Sequence, residues 1–215
     1  MEETSRFRIT VSLRKFKELY RKISIIKNAS CPNIVFENKP EWDEPPNNHI
    51  ITLAEHRHQK ETCELVFYFS SWSVYSREQE MFKNNFIETF AHEMSHALAT
   101  HRHLKNLYVK IHNGAQFFLK NRMTSFFLPL TAWSALCGYA PYIFLIYLPS
   151  SSALLTIIWF VLLFIAGFPL FCDLYLNLLI TTREYAANKI RDNYVLVHKK
   201  ELDEIVKVFP KEETP

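Results

Sequence analysis

Three residues in the middle of the chain have the types and the spacing of a metal-dependent hydrolase site. His92 and His96 are four residues apart, and Glu93 directly follows the first of them, in the pattern HExxH. On a helix, side chains four apart project from one face, so both imidazoles can bind one Zn²⁺. A carboxylate at Glu93 would lie beside the attacking water and act as general base. The pattern predicts one Zn²⁺ per chain, with His92 and His96 as ligands and Glu93 as the catalytic residue.

The residues around this motif predict the helix that it requires. Between residues 79 and 104, apolar side chains recur at intervals of three and four, which is typical of the buried face of a helix. The histidines and Glu93 fall on the opposite face. Because a bare HExxH arises by chance in about 3% of chains of this composition, the helical context is what makes the motif specific.

A catalytic zinc needs a third protein ligand, which leaves one position open for water. The metzincin pattern would place that ligand six residues after His96, where Arg102 stands, so this pattern fails. His103 lies roughly 10 Å from His96 along a helix axis, and we expect His101 and His103 at the surface or an interface. A better candidate segment lies beyond a long apolar stretch, at 182–189.

The order of these motifs resembles a known family. HExxH, then two hydrophobic spans, then a helix opening with ExxA and a polar residue, is similar to the membrane gluzincins of the HtpX and CaaX prenyl endoprotease type. The resemblance implies that Glu184 is the third zinc ligand and that Ala187 lets its helix pack closely on the HExxH helix. The family's Asp falls at Asn188, whose amide oxygen can accept a hydrogen bond from a ligand imidazole, although without the charge.

The resemblance also implies zinc-dependent endopeptidase activity near the cytosolic membrane face, with the substrate bound along an edge strand by backbone hydrogen bonds. A β-branched and aromatic run predicts the strand that would serve. Its residues are Leu65, Val66, Phe67, Tyr68 and Phe69. Tyr194 and His198, downstream of Glu184, are candidates for the donor that stabilises the oxyanion.

Two segments are long enough to cross a bilayer. No Asp, Glu, Lys, Arg or His occurs between Met123 and Cys172, and roughly 20 apolar residues span a hydrocarbon core. We predict spans at about 126–148 and 153–180. Basic residues flank the pair but not the hairpin between its members, which places both termini in the cytosol. The prediction is an integral membrane protein whose partner is the lipid bilayer, in a bacterial inner membrane rather than an organelle membrane.

The predicted fold class is α+β. A small gluzincin-like peptidase domain, made of a short sheet, the HExxH helix and the ExxA helix, carries an inserted two-helix transmembrane hairpin. Residues 1–124 form the cytosolic part with the HExxH helix, 125–182 the hairpin, and 183–215 the cytosolic helix that completes the domain. Further short strands are predicted at 33–36 and 49–54.

Charge and cysteines exclude other classes. The net charge of +3 is too small to indicate nucleic acid as a partner. The four cysteines are scattered and include no CxxC pair, so the sequence predicts neither a disulfide framework nor a cysteine-containing zinc site.

The leading functional prediction is a membrane-anchored zinc endopeptidase acting on membrane or membrane-proximal proteins. The alternative is a non-proteolytic zinc-binding membrane scaffold or sensor that retains the site. The intact Glu93 favours the enzyme, because a site that only holds zinc needs no general base between its histidines.

Overall fold

The computed structural model describes residues 7–26, 29–37, 54–58, 63–68, 78–147 and 153–210. The chain divides into two compact units, one formed by Met1–Lys110 with Ala186–Pro215 and the other by Ile111–Tyr185. The first unit mixes helices and strands and is discontinuous in sequence, and the second, which is helical, is inserted into it.

In chain order, the elements are β1 (Phe7–Val11), α1 (Leu13–Ile23), β2 (Asn33–Glu37), β3 (Ala54–His58), β4 (Cys63–Tyr68), α2 (Gln79–Thr100), α3 (Leu107–Lys120), α4 (Arg122–Tyr147), α5 (Ala153–Ile190), a π-helical turn (Arg191–Val195), a 3-10 turn (Leu196–His198), α6 (Lys199–Ile205) and β5 (Val206–Pro210). The predicted strand at 33–36 corresponds to β2, and α2 ends four residues before the predicted helix does. The predicted strand at 49–54 lies outside the described residues except for Ala54.

The main sheet has three described strands in the order β2-β4-β3, with β2 parallel and β3 antiparallel to β4. The prediction of an edge strand for substrate at Leu65–Phe69 is therefore wrong, because β4 is hydrogen-bonded on both sides. Leu65, Val66 and Phe67 are all buried, as in a strand covered on both faces. Phe69 lies outside the described residues.

The two ends of the first unit form a second sheet. β1 and β5 are antiparallel, with Val11 opposite Val206 and Ile9 opposite Val208. Ser12 N–H then donates to Ile205 O at 2.9 Å, which joins the start of α1 to the end of α6. This pairing brings the segment that follows the insertion back to the N-terminal part of the domain.

Phenylalanine rings join α2 to the main sheet and to α1. The Phe67 ring stacks on Phe90 with centroids 5.6 Å apart and contacts Phe86 at 5.0 Å. On the other side, Phe16 of α1 meets Phe90 edge-on at 5.3 Å. Such pairs add to the stabilisation that burial provides, so the position of α2 is fixed by a well-packed core.

The second unit contains α4 and the greater part of α5, which pack together through Trp133. Its indole N–H donates to Phe164 O at 3.2 Å, and its ring lies 5.3 Å from Phe171. A Cβ added at Gly167 would collide with the same indole, so this close approach requires glycine. Many apolar side chains on these helices face outward, among them Phe126, Leu136, Ile165, Leu170, Leu174 and Leu178.

By length and composition, one helical stretch of the described chain, Phe164–Ile205, is suited to cross a membrane, and its most apolar part is not buried. The stretch Thr124–Cys137 is apolar but shorter than a span. Helix α5 continues without a break from the second predicted span to Ile190. The two-span arrangement stays a prediction, and the hairpin turn at 148–152 lies outside the described residues.

Candidate metal centre

The HExxH residues lie in the most deeply buried part of α2. Glu93 is 7% exposed and His96 5%, while His92 is half-buried. The sequence predicts a polar face opposite the core, but Glu93, Ser95 and His96 are buried like the apolar Met94 of the predicted core face, so this stretch of helix is covered nearly all round. Buried carboxylates and imidazoles are rare unless hydrogen bonds or a metal ion compensate for lost hydration.

A hydrogen bond from α5 fixes the orientation of His92. Its Nδ1 lies 3.1 Å from Asn188 Oδ1. An amide oxygen can only accept, so Nδ1 carries the proton and Nε2 keeps its lone pair. Asn188 thus occupies the position from which the sequence predicts support for a ligand imidazole. The neighbouring Ala187 is fully buried, as close helix packing requires.

The predicted third ligand, Glu184, lies on α5. It precedes Asn188 by one turn and lies on the same face of that helix. The Nε2 atoms of the two histidines are 3.2 Å apart, close to the roughly 3.4 Å between two ligand nitrogens on a tetrahedral zinc. Two imidazole nitrogens and a carboxylate oxygen are a donor set that fits Zn²⁺ with one position left for water.

Arg183, which the sequence reasoning did not single out, contacts the predicted third ligand. Its guanidinium donates to Glu184 Oε1 from Nη2 at 2.6 Å and from Nε at 3.1 Å. Both bonds go to one oxygen, so the guanidinium holds the carboxylate through Oε1. In the sequence, the signal for this contact is that Arg183 directly precedes Glu184, although adjacent side chains on a helix usually diverge.

The two predicted oxyanion donors lie in different surroundings. His198 Nδ1 is 3.3 Å from Glu201 Oε1, and the same oxygen accepts from Lys22 Nζ at 2.6 Å. Hydrogen bonding to Lys22, and to a lesser extent to His198, lowers the pKa of Glu201. His198 thus contacts Glu201, which is ion-paired with Lys22 of α1, and its role as an oxyanion donor stays a prediction. Tyr194 is half-buried against the hydrophobic core.

A second group of metal-binding residue types was also missed. His56, Cys63 and His101 offer ligand atoms within 4.8 Å of one another. Burial, reinforced by the nearby Cys31, raises the pKa of the Cys63 thiol to about 12. His103, expected at the surface or an interface, is buried, and desolvation lowers its pKa. These residues come from two strands and a helix end, so no motif spacing could have revealed them.

No protein-family model, curated protein or solved structure matches the chain. What the site can do is therefore argued from the geometry and chemistry of its own residues.

Proposed function

We propose that this protein is a membrane-anchored zinc endopeptidase of gluzincin-like fold that hydrolyses peptide bonds at the cytosolic face of a membrane. The observation that carries the proposal is the burial of the HExxH segment, in which Glu93 is 7% and His96 5% exposed, with Asn188 Oδ1 3.1 Å from His92 Nδ1. A site that only stored zinc would not need the buried carboxylate between its two histidines.

The proposed hydrolysis would use two groups, the zinc ion and the carboxylate of Glu93. When bound, Zn²⁺ would polarise the scissile carbonyl and make the attacking water more acidic. Glu93 takes the proton of that water as its oxygen bonds to the carbonyl carbon. The same carboxyl then gives the proton to the amide nitrogen as the C–N bond breaks, which yields a carboxylic acid and an amine. His92 stays in its ligand tautomer through Asn188.

The substrate strand is reassigned to β3. In the part of the sheet that the structure describes, β3 pairs only with β4 and is an edge strand. It also packs against α2, the helix that carries the histidines. An extended peptide that added to this edge would run across the zinc-binding helix and bind through backbone hydrogen bonds.

Composition and exposure support a membrane location. The apolar side chains that face outward on α4 and α5 would be costly in water at this density. Glu184 and Asn188 lie near the charged end of α5, so the active site would sit beside the headgroups. Proteins that expose a segment close to the membrane are the substrates this arrangement favours.

The test measures zinc content and proteolysis on the full-length protein in liposomes, with labelled casein and a set of single-span membrane proteins as substrates. We expect Glu93→Gln to keep its zinc and to lose activity by about 10² to 10⁴-fold, the usual contribution of a general base. Glu184→Ala should lose zinc and activity together. The matched control is Glu88→Gln, an exposed glutamate on the same helix, which should retain both.

Two outcomes would contradict the proposal. Full zinc content and full activity in Glu184→Ala would show that the ligand assignment is wrong. Zinc binding by the wild type, with cleavage that is equally slow in wild type and Glu93→Gln, would instead support the non-proteolytic scaffold or sensor.

A further inference from the structure

We propose that His56, Cys63 and His101 form a second metal site, which binds Zn²⁺ and has a structural role. All three residues belong to the first unit. His56 Nε2 lies 3.1 Å from Cys63 Sγ, and the ring of His101 approaches that of His56 edge-on, with centroids 6.5 Å apart. The ligand atoms of all three lie within 4.8 Å of one another.

Strand pairing brings the first two ligands together. In the antiparallel register of β3 and β4, His56 is opposite Leu65 and His58 is opposite Cys63. His56 and Cys63 are therefore diagonal neighbours on the same face of the sheet, a relation in which long side chains touch. Leu65 is buried and shares this face, so the pair lies on the side of the sheet that faces the core.

A tight helix end supplies the third ligand. His101 caps α2, and the chain then reverses: Arg102 N–H donates to Ala99 O at 3.0 Å and His103 N–H to Leu98 O at 2.9 Å. This is the Schellman arrangement, whose residue after the cap adopts a left-handed conformation. Arg102 has φ of 52°, although glycine is usual there. The turn directs His101 toward β3 and stacks it on His103 at 5.4 Å.

A contact from α1 holds this turn in place. The buried His103 has its Nδ1 3.0 Å from Tyr20 Oη, and Ile25 N–H donates to His103 O at 2.8 Å. The third ligand is thus supported by a hydrogen-bonded neighbour rather than by a mobile loop. Positioning of this kind is what a ligand set needs in order to keep its geometry.

The donor set selects the ion. Two imidazoles with one thiolate suit Zn²⁺ and other borderline or soft cations, and they disfavour Mg²⁺ and Ca²⁺. On a tetrahedral zinc a ligand nitrogen and a ligand sulfur are roughly 3.6 Å apart, within about half an ångström of the separation between His56 and Cys63.

Three protein ligands leave a fourth position that water would take, and the assignment of a structural role rests on the lack of a general base in the group. Cys63 is buried, and no carboxylate belongs to the group among the described residues. A bound ion would instead connect β3 and β4 to the end of α2. Because the site forms only when these elements are folded, its binding free energy would add to the stability of the first unit.

Cobalt can test this site separately from the proposed active site, since only one of the two groups contains sulfur. The full-length protein in detergent micelles is stripped with a chelator and titrated with Co²⁺. We expect a thiolate-to-cobalt charge-transfer band in the near ultraviolet that saturates at one equivalent, beside a second equivalent without this band. Cys63→Ser should abolish the band. Cys31→Ser, which changes a half-buried cysteine outside the group, should retain it.

Absence of the band in the wild type, or its persistence in Cys63→Ser, would overturn the proposal. Circular dichroism checks that each variant is folded, and His101→Gln, at a half-buried position, gives a second route if Cys63→Ser is unfolded: its band should saturate only at higher Co²⁺. Glu184→Ala should keep the band and lose the other equivalent. Failure of the peptidase proposal would therefore leave this result unchanged.

Discussion

Helix α2 contributes to two groups of ligand-type residues that differ in how the chain builds them. In the first, His92 and His96 come from adjacent turns of the helix, and Glu184 of α5 is their predicted third partner. In the second, His56, Cys63 and His101 come from three different elements. The first group includes the carboxylate of Glu184 and has Glu93 next to one of its histidines, whereas the second contains the buried thiol of Cys63.

This difference separates two uses of metal-binding residues. A pair of histidines at helical spacing is preorganised by one helix, so its geometry survives small shifts of the surrounding fold. A group assembled from strands and a helix end exists only when those elements are packed. We therefore expect metal binding by the first group to be sensitive to substitutions close to it, and metal binding by the second to be sensitive to substitutions in the hydrophobic core. Three substitutions test this difference.

The largest effect is expected from Phe67→Ala. Phe67 is 1% exposed and packs between β4 and α2, against Phe86 and Phe90. Removing the ring should lower the free energy of unfolding by about 3 to 5 kcal/mol. Urea unfolding in detergent micelles measures this, and cobalt titration should show a greater loss of affinity at the thiolate site than at the histidine pair.

The control is Phe117→Ala, because Phe117 of α3 is 58% exposed. Its loss should change neither the free energy of unfolding nor the cobalt affinities appreciably. Equal weakening of both cobalt equivalents in Phe67→Ala would mean that the histidine pair depends on the core as much as the thiolate group does, and the distinction would fail.

A smaller effect, confined to one group, is expected at Asn188. Removing the acceptor for His92 Nδ1 in Asn188→Ala should weaken zinc binding by about 10 to 100-fold, as loss of such a supporting contact usually does. Asn188→Asp should tighten it, because a charged acceptor makes the imidazole more basic. Competition with a chromophoric chelator measures both affinities.

Asn193→Ala, at an exposed position five residues further along the chain, is the matched control. Unchanged affinity in Asn188→Ala would show that the hydrogen bond does not determine binding. A loss of the thiolate band in that variant would show that the two groups are coupled rather than independent.

The smallest effect is expected from Arg102→Gly, beside the second group. A side chain in the left-handed region costs about 1 kcal/mol, and glycine is the preferred residue at this point of the helix end. The substitution should therefore raise the free energy of unfolding by about that amount. Arg102→Ala, which keeps a Cβ, is the comparison and should give no gain; stabilisation by both variants would place the effect in the arginine side chain instead of the backbone.

Several features of the fold could be predicted because their signals are local. The helix that carries HExxH follows from spacings of three and four, and the structure has it at Gln79–Thr100. The strand that contains Leu65 follows from its β-branched and aromatic residues, and β4 is found there. Its place in the sheet could not be predicted, since periodicity reports burial of a strand but not which strands pair with it.

Polar residues were harder to place from the sequence than apolar ones. His103 was expected at the surface or an interface because it lies too far from His96 to share a metal ion, yet Tyr20, far away in sequence, provides a partner for its ring inside the core. His198 was a candidate oxyanion donor because it lies downstream of Glu184; its Nδ1 is 3.3 Å from Glu201 Oε1, and the catalytic role stays a prediction. In both cases the partner of the histidine is known only from the tertiary structure.

The sequence by itself determined the part of the candidate site that one helix encodes: His92, Glu93 and His96 are held together by the geometry of the α-helix, whatever the rest of the chain does. It also predicted Asn188 beside a ligand imidazole, through the resemblance of its segment to a family motif. Only the tertiary structure decided that β3 rather than β4 is the sheet edge, and that His56, Cys63 and His101 meet. Strand order and long-range contacts depend on how separate segments pack, which local residue patterns do not encode.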